Sequence, residues 1–289
     1  MHQFREALIK NTQNIISFNS WKQASSVYFD RRMAVIFLLG FSSGLPLALT
    51  LGTLAIWLSR SGVDKTTIGL FSAVTMPYFF KFAWAPLIDQ IRIPFITKNL
   101  GRRRGWIICT QLFLIGTIFA MGGFDPTESP FTLAILALSV AFCSASQDIV
   151  IDAYRVEILE ENKLGAGAAS VVFGYRVGML ASGAGALYLS ESIDWGTVYF
   201  VMAGLLFIGV ITVIIAPEPN SVTLKATRGV LAWFREAVIS PFIEFSARPD
   251  WVIILLFIIF YKFGDSLAGV MTGPFMVELG FSNAEIANV

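Results

Sequence analysis

The sequence predicts an all-α membrane protein. Hydrophobic residues make up 55% of the 289-residue chain and charged residues only 14%, whereas soluble domains carry about 25% charged residues. The mean hydropathy is +0.69, and the 26 phenylalanines suit a lipid-facing surface better than a compact soluble core. Seven apolar stretches are long enough to cross a bilayer, which needs about 20 apolar residues.

These stretches divide the chain into four parts. Residues 1–32 form a cytoplasmic N-terminal segment, 33–216 a six-helix bundle, 217–250 a cytoplasmic amphipathic linker, and 251–289 a seventh span that begins a second bundle. Six spans, a long polar connection and a further span match the plan of a two-bundle transporter. We number the spans in chain order: 33–58, 67–87, 106–123, 131–154, 165–189, 195–216 and 251–275.

The charges of the connections predict the orientation. Connections 122–130 and 190–195 hold acidic residues but no lysine or arginine, whereas most of the 21 basic residues precede span one or lie after spans two, four and six. Cytoplasmic loops carry the excess of basic residues. The N-terminus is therefore predicted in the cytoplasm.

The residue inventory excludes several kinds of chemistry. His2 is the single histidine, and Cys109 and Cys143 both fall in apolar spans. Neither a disulfide framework nor a zinc site is indicated, and no nucleotide-binding or nucleophile motif is present. We predict no metal, no cofactor, no nucleic-acid partner and no enzymatic activity. The predicted partner of the protein surface is the lipid bilayer.

Span four carries the predicted functional site. Ser144, Asp148, Asp152 and Arg155 follow one another at helical spacing and share one stripe. A carboxylate facing lipid is costly, so the stripe should face protein or a water-filled cavity. In the alternative interpretation, Asp152 and Arg155 only mark the cytoplasmic end of the span and Asp148 alone lies inside.

Further charges fall inside other spans. Arg176 lies deep in span five and needs a carboxylate, which a substrate or Asp148 could supply. Lys81 has a stem long enough to reach the membrane interface. Lys262 and Asp265 lie three residues apart in span seven and could neutralise each other.

Two sequence patterns concern packing and gating. Ala85-Pro-Leu-Ile-Asp89, followed by Gly101-Arg-Arg-Arg104, resembles the G-x-x-x-D-x-x-G-R-R/K pattern of the major facilitator superfamily, although alanine replaces the first glycine and the loop is longer. Asp89 could pair with Arg102 or Arg103 as a latch that breaks when the bundles rock; alternatively, the loop only sets topology. Gly174-Tyr-Arg-Val-Gly178 is a GxxxG motif that predicts close helix packing.

Several strings together resemble the AmpG muropeptide permeases: Gly40-Phe-Ser-Ser-Gly-Leu-Pro-Leu-Ala-Leu-Thr50, Gly101-Arg-Arg-Arg-Gly-Trp106, Ala141-Phe-Cys-Ser-Ala-Ser-Gln-Asp-Ile-Val150, Gly165-Ala-Gly-Ala-Ala169, Gly174-Tyr-Arg-Val-Gly-Met179 and Tyr261-Lys-Phe-Gly-Asp265. The resemblance implies a major-facilitator fold in the bacterial inner membrane. It also implies proton-driven import of anhydro-muropeptides for peptidoglycan recycling.

Within that expectation, each group of polar residues receives a role. Asp148 and Asp152 are the predicted proton-coupling carboxylates. Gln147, Arg176, Lys262 and Asp265 are the predicted substrate-binding residues, with a structural pair as the alternative for the last two. Asp89, Arg102 and Arg103 form the predicted gating loop.

Two alternatives accompany this hypothesis. Members of the resembled family carry a complete second bundle, whereas this chain includes only its first helix. The chain is therefore alternatively a truncated, non-transporting remnant or a partner of another transporter half. The related acetyl-CoA transporters, which share the fold and parts of the patterns in spans one and four, supply a further alternative.

Overall fold

A computed structural model describes residues 26–219, 235 and 239–288, without the side chains of 90, 241, 262–268 and 270. Every regular element within these ranges is helical. The predicted all-α fold of a membrane protein is confirmed. Most of the N-terminal segment lies outside the described residues. Of the predicted amphipathic linker helix, the structure describes the short helix Ser240–Ser246.

Within the described residues, five helices are long and apolar enough to cross a membrane. They correspond to the first, third, fourth, fifth and sixth spans and comprise Arg31–Arg60, Arg102–Gly122, Pro130–Ile158, Glu161–Ser190 and Trp195–Ile215. The seventh span forms the 28-residue helix Trp251–Glu278. Short helices Ile96–Leu100 and Asn283–Ala287 precede the third span and follow the seventh.

The second span is not the continuous helix that its apolar content predicts. It consists of helices Lys65–Phe71, Met76–Phe80 and Ala85–Gln90, separated by 3₁₀ turns at Ser72–Thr75 and Lys81–Ala83. Prolines stand in the first turn of the second and third of these helices. Because proline lacks the N–H that would continue the preceding helix, each one starts a new segment.

The first and fifth spans interlock through glycine. A Cβ atom at Gly40 or Gly44 would lie 2.3 or 2.1 Å from a carbonyl oxygen of the fifth span, and one at Gly174 or Gly178 would lie 2.1 or 2.2 Å from a carbonyl oxygen of the first. Such close backbone approach is what small residues allow in a membrane. The GxxxG prediction for span five is correct, and its partner is a second GxxxG in span one.

The long helices run antiparallel, so their ends gather in two groups. At what we call the basic end, the Arg31 guanidinium donates to the Ile215 carbonyl at 2.8 Å and Arg32 donates to the Ile158 carbonyl at 3.2 Å. At the opposite end, the backbones of Gly122 and Gly196 meet closely. A continuous apolar core, which includes Trp57, Leu114 and Tyr199, fills the bundle towards that opposite end.

The seventh span is tied to the first bundle at the opposite end. Lys65 pairs with Glu278 at 2.5 Å. Asn283 accepts a hydrogen bond from Arg60 at 2.9 Å and donates one to Ser190 at 2.8 Å. By contrast, each side chain of Trp251–Tyr261, near the basic end, is exposed.

Candidate functional site

Asp148 lies in the second half of the helix Pro130–Ile158 and is contacted from two sides. The Ser43 hydroxyl of the first span donates a hydrogen bond to its Oδ1 atom. The Lys81 ammonium of the second span lies 3.8 Å from its Oδ2 atom, and only 14% of the Asp148 side chain is exposed. Three spans therefore converge on one largely buried carboxylate, as the cost of such a group predicts.

A cavity of about 150 Å³ adjoins this carboxylate. The fourth span contributes Asp148, Ile151 and Asp152 to its wall, and the first and fifth spans contribute Ser43, Val171, Val172 and Tyr175. The lining therefore combines charged, polar and apolar side chains. The predicted stripe faces protein and a cavity at Asp148, as expected.

Asp152 occupies a more open position than Asp148. Its side chain is 61% exposed, and it lies 3.7 Å from the Arg155 guanidinium one turn further along the helix. Exposed ion pairs of this kind contribute little to stability. The exposure of Asp152 agrees with the alternative interpretation, in which this residue marks the end of the span. It nevertheless lines the cavity beside Asp148, so its predicted proton-coupling role stays a prediction.

Gln147 is fully buried, and neither its amide nitrogen nor its amide oxygen has a hydrogen-bond partner among the described residues. Buried amide groups without partners are costly, and a solute or a bound water would relieve that cost. The predicted substrate-binding role of Gln147 is compatible with this position and stays a prediction.

The structure does not form the predicted pair between Arg176 and Asp148. Arg176 is exposed, and within the described ranges no carboxylate lies within ion-pair distance of it; Lys81 takes the place beside Asp148. Arg176 follows Tyr175 of the cavity wall, so binding a substrate carboxylate stays a prediction. The side chains of Lys262 and Asp265 lie outside the described residues.

The predicted gating loop forms an ion-pair cluster at the basic end. Arg103 is almost fully buried; its Nη1 donates to Asp89 Oδ1 at 2.6 Å and its Nε donates to both carboxylate oxygens of Glu157 at 3.0 and 3.1 Å. Arg102 donates to the Asp89 carbonyl at 2.6 Å. The predicted pairing of Asp89 with an arginine is present.

A third carboxylate, from the end of the sixth span, completes this cluster. Glu218 accepts hydrogen bonds from the backbone N–H groups of Arg103 and Arg104 at 3.0 and 3.2 Å, which satisfies the first turn of the third-span helix. Its carboxyl group packs against Gly101, where the left-handed φ of 89° favours glycine and a Cβ would lie 2.1 Å from Glu218.

All of these contacts join parts of the first bundle. Asp89, Arg102, Arg103, Glu157 and Glu218 belong to the second, third, fourth and sixth spans or their ends. The latch predicted to break between two bundles is therefore, in the part of the chain that the structure describes, a clamp within one bundle. Its role in gating stays a prediction.

Sequence reasoning missed the partners rather than the central groups. Ser43, Tyr175, Glu157 and Glu218 are not among the predicted site residues, and for Lys81 the sequence indicates only that its stem can reach the membrane interface. Glu157 carried the clearest signal, since it lies in the last turn of a span beside a strongly basic loop. Ser43 carried none, because a serine in a spanning helix is ordinary.

The fold and the site define an integral membrane protein of the transporter type: antiparallel spanning helices with a largely buried carboxylate at the wall of a cavity. Residues 36–288 match the Major Facilitator Superfamily. The chain belongs to this superfamily, which confirms the prediction of a transporter-type protein rather than an enzyme.

Individual relatives agree with the predicted resemblance. The chain is 43% identical over 265 residues to the anhydromuropeptide permease of Escherichia coli K12, covering 91% of this chain and 52% of that protein. It is 36% identical over 266 residues to the putative transporter AmpG 4 of Rickettsia felis, covering 91% and 64%. These similarities confirm the resemblance to the AmpG permeases, and the chain spans about half to two thirds of the length of these curated relatives.

Proposed function

We propose that this chain takes part in proton-coupled import of anhydro-muropeptides across the bacterial inner membrane. The observation that carries the proposal is the largely buried Asp148, held by Ser43 and Lys81 at the wall of a cavity. The 43% identity to the Escherichia coli permease supports the substrate class.

The arrangement of the site suits proton coupling. In the proposal, Asp148 gains and loses a proton through the cavity, whose water gives it access to one side of the membrane. Asp152 at the cavity wall serves as a second acceptor on the same helix face, while Gln147 and Arg176 offer an amide and a guanidinium to the solute. A carboxylate in this position changes the local charge each time it is protonated.

The orientation belongs to the same proposal. The basic end, with Arg31, Arg32 and the Arg102–Arg104 loop, faces the cytoplasm, because lysine and arginine concentrate in cytoplasmic connections. The opposite end, where Asn283 is tied to Arg60, then faces the periplasm.

Uptake measurements test this function. The chain is expressed in a strain lacking its muropeptide permease, and the cytoplasmic accumulation of labelled anhydro-muropeptide is measured with and without a protonophore. We expect accumulation that the protonophore abolishes. If the chain reaches the membrane in normal amounts and accumulation stays at the level of the empty strain, transport by this chain is contradicted.

The same experiment separates the alternatives. A non-transporting chain, or a partner that needs another transporter half, gives no uptake alone; coexpression with the missing half then restores uptake only in the second case. An acetyl-CoA-type transporter would instead give no muropeptide uptake and would take up labelled acetyl-CoA into membrane vesicles. The exposed face of Trp251–Tyr261 suits either lipid or a second half.

A further inference from the structure

Lys81 lies at the main irregularity of the first bundle. It opens the 3₁₀ turn Lys81–Ala83, between the helices Met76–Phe80 and Ala85–Gln90 of the second span. Transporters commonly build solute sites where a spanning helix is interrupted, because backbone and side chains there can turn towards a cavity. The interruption therefore places a cation beside Asp148, the carboxylate that lines the cavity.

The contact between Lys81 and Asp148 is loose. Charge-assisted N–H···O bonds measure about 2.7–2.9 Å, whereas these two groups lie 3.8 Å apart. The carboxylate has a hydrogen bond from Ser43, while the ammonium has no hydrogen-bond acceptor among the described residues. Lys81 is also the more open partner, with 39% of its side chain exposed against 14% for Asp148.

No other acidic group near Asp148 is available to pair with Lys81 among the described side chains. Asp152 on the same helix pairs with Arg155, and the fifth span contributes Tyr175 and the exposed Arg176. Ser43 from the first span and Tyr78 from the second add only hydroxyl groups on this side. When Asp148 becomes neutral, the ammonium loses the one carboxylate that lies within 4 Å of it among the described side chains.

We infer that Lys81 binds a carboxylate of the transported solute when Asp148 is protonated. This inference rests on the proposed function and names the chemical feature that the site selects, an anionic solute. A hydronium ion in the cavity gives its proton to an Asp148 carboxylate oxygen and becomes water, so that one O–H bond breaks and one forms. The lysine then exchanges one carboxylate for another, so that a proton and an anion enter together and the site keeps its charge balance.

Binding of two matched probes tests the inference. The purified full chain in lipid nanodiscs is titrated calorimetrically with an anhydro-muropeptide carrying free carboxylates and with the same compound after all its carboxylates are converted to carboxamides. We expect the acid to bind about tenfold or more tightly than the amide, the range of a charge-assisted contact. Lys81→Gln should remove this preference without changing amide affinity, and Lys81→Arg should restore most of it.

Two further variants serve as controls. Lys65→Gln removes a lysine paired with Glu278 at the opposite end and should leave the preference unchanged. Arg176→Gln removes the competing cation of the fifth span. The role of Lys81 is overturned if the wild type binds acid and amide equally. It is also overturned if Arg176→Gln removes the preference and Lys81→Gln does not. Either result leaves the proposed function standing. If the wild type binds neither probe, the proposed function fails as well.

Discussion

Gly44 of the first span touches the backbone of Tyr175 in the fifth, and a Cβ atom at position 44 would lie 2.1 Å from the Tyr175 carbonyl oxygen. Tyr175 also lines the cavity beside Asp148. Close helix packing and the shape of the candidate site therefore depend on the same contact.

The first prediction concerns this glycine. Gly44→Ala should destabilise the protein by about 1–3 kcal/mol, because the backbone of the fifth span must move to admit a methyl group. Thermal unfolding in detergent measures the change. Gly52→Ala is the matched control on the same helix, since no atom lies within 4 Å of its added Cβ. Equal effects of the two substitutions would show that the interlock is not tight.

The second prediction concerns Asp148. Asp148→Asn keeps the side-chain volume but cannot exchange a proton, so uptake against a gradient should be lost while exchange of internal for external solute continues. Uptake and exchange in membrane vesicles measure the two activities separately. Asp152→Asn should have the smaller effect, because Asp152 is more exposed and pairs with Arg155. Undiminished uphill accumulation by Asp148→Asn would remove the proton role from this residue.

The third prediction concerns the clamp at the basic end. Arg103→Met leaves Asp89 and Glu157 without their shared cation and should cost about 3 kcal/mol, as expected when one member of a buried ion pair is removed. Denaturant unfolding in mixed micelles gives the difference. Arg92→Met, at an exposed position of the same connection, should change stability by less than about 0.5 kcal/mol. A comparable loss from both variants would contradict a specific clamp.

The fourth prediction concerns pH and the start of the sixth span. Asp194 accepts hydrogen bonds from the Thr197 backbone and hydroxyl, both at 2.8 Å, and these bonds lower the pKa of its carboxyl group below the usual value. A lowered pKa stabilises the fold above the unfolded-state value of about 3.9 and loses that contribution as the pH falls through the folded-state pKa.

Asp194→Ala should accordingly lower the melting temperature at neutral pH, and the difference from wild type should shrink below about pH 4. Differential scanning fluorimetry across that range measures it. A difference that stays constant on acidification would mean that the charge of the cap contributes nothing.

The central groups of the site could be predicted from sequence because a charged side chain inside an apolar span is costly and therefore easy to recognise. Asp148 stands out as a carboxylate in an apolar helix, and Gly174 and Gly178 stand out through their spacing. Both predictions rest on one-dimensional patterns. The structure agrees with each of them.

The partners could not be predicted because they depend on how separate spans rotate and cross. Arg176 and Lys81 are both single cations in apolar stretches, and only the packing of the second span decides that Lys81 approaches Asp148. The interruption of that span was also missed, since average apolar content outweighed the local effect of Pro77 and Pro86.

The attachment of the seventh span at Lys65 and Arg60 has a mechanical consequence. A helix of 28 residues is about 42 Å long at 1.5 Å per residue, so a tilt of about 10° around the attached tip carries the Trp251 tip through about 7 Å. The helix is thus a lever with its fulcrum beside Asn283. A change in these polar contacts that tilts the helix would therefore move its Trp251 tip much further than its attached tip.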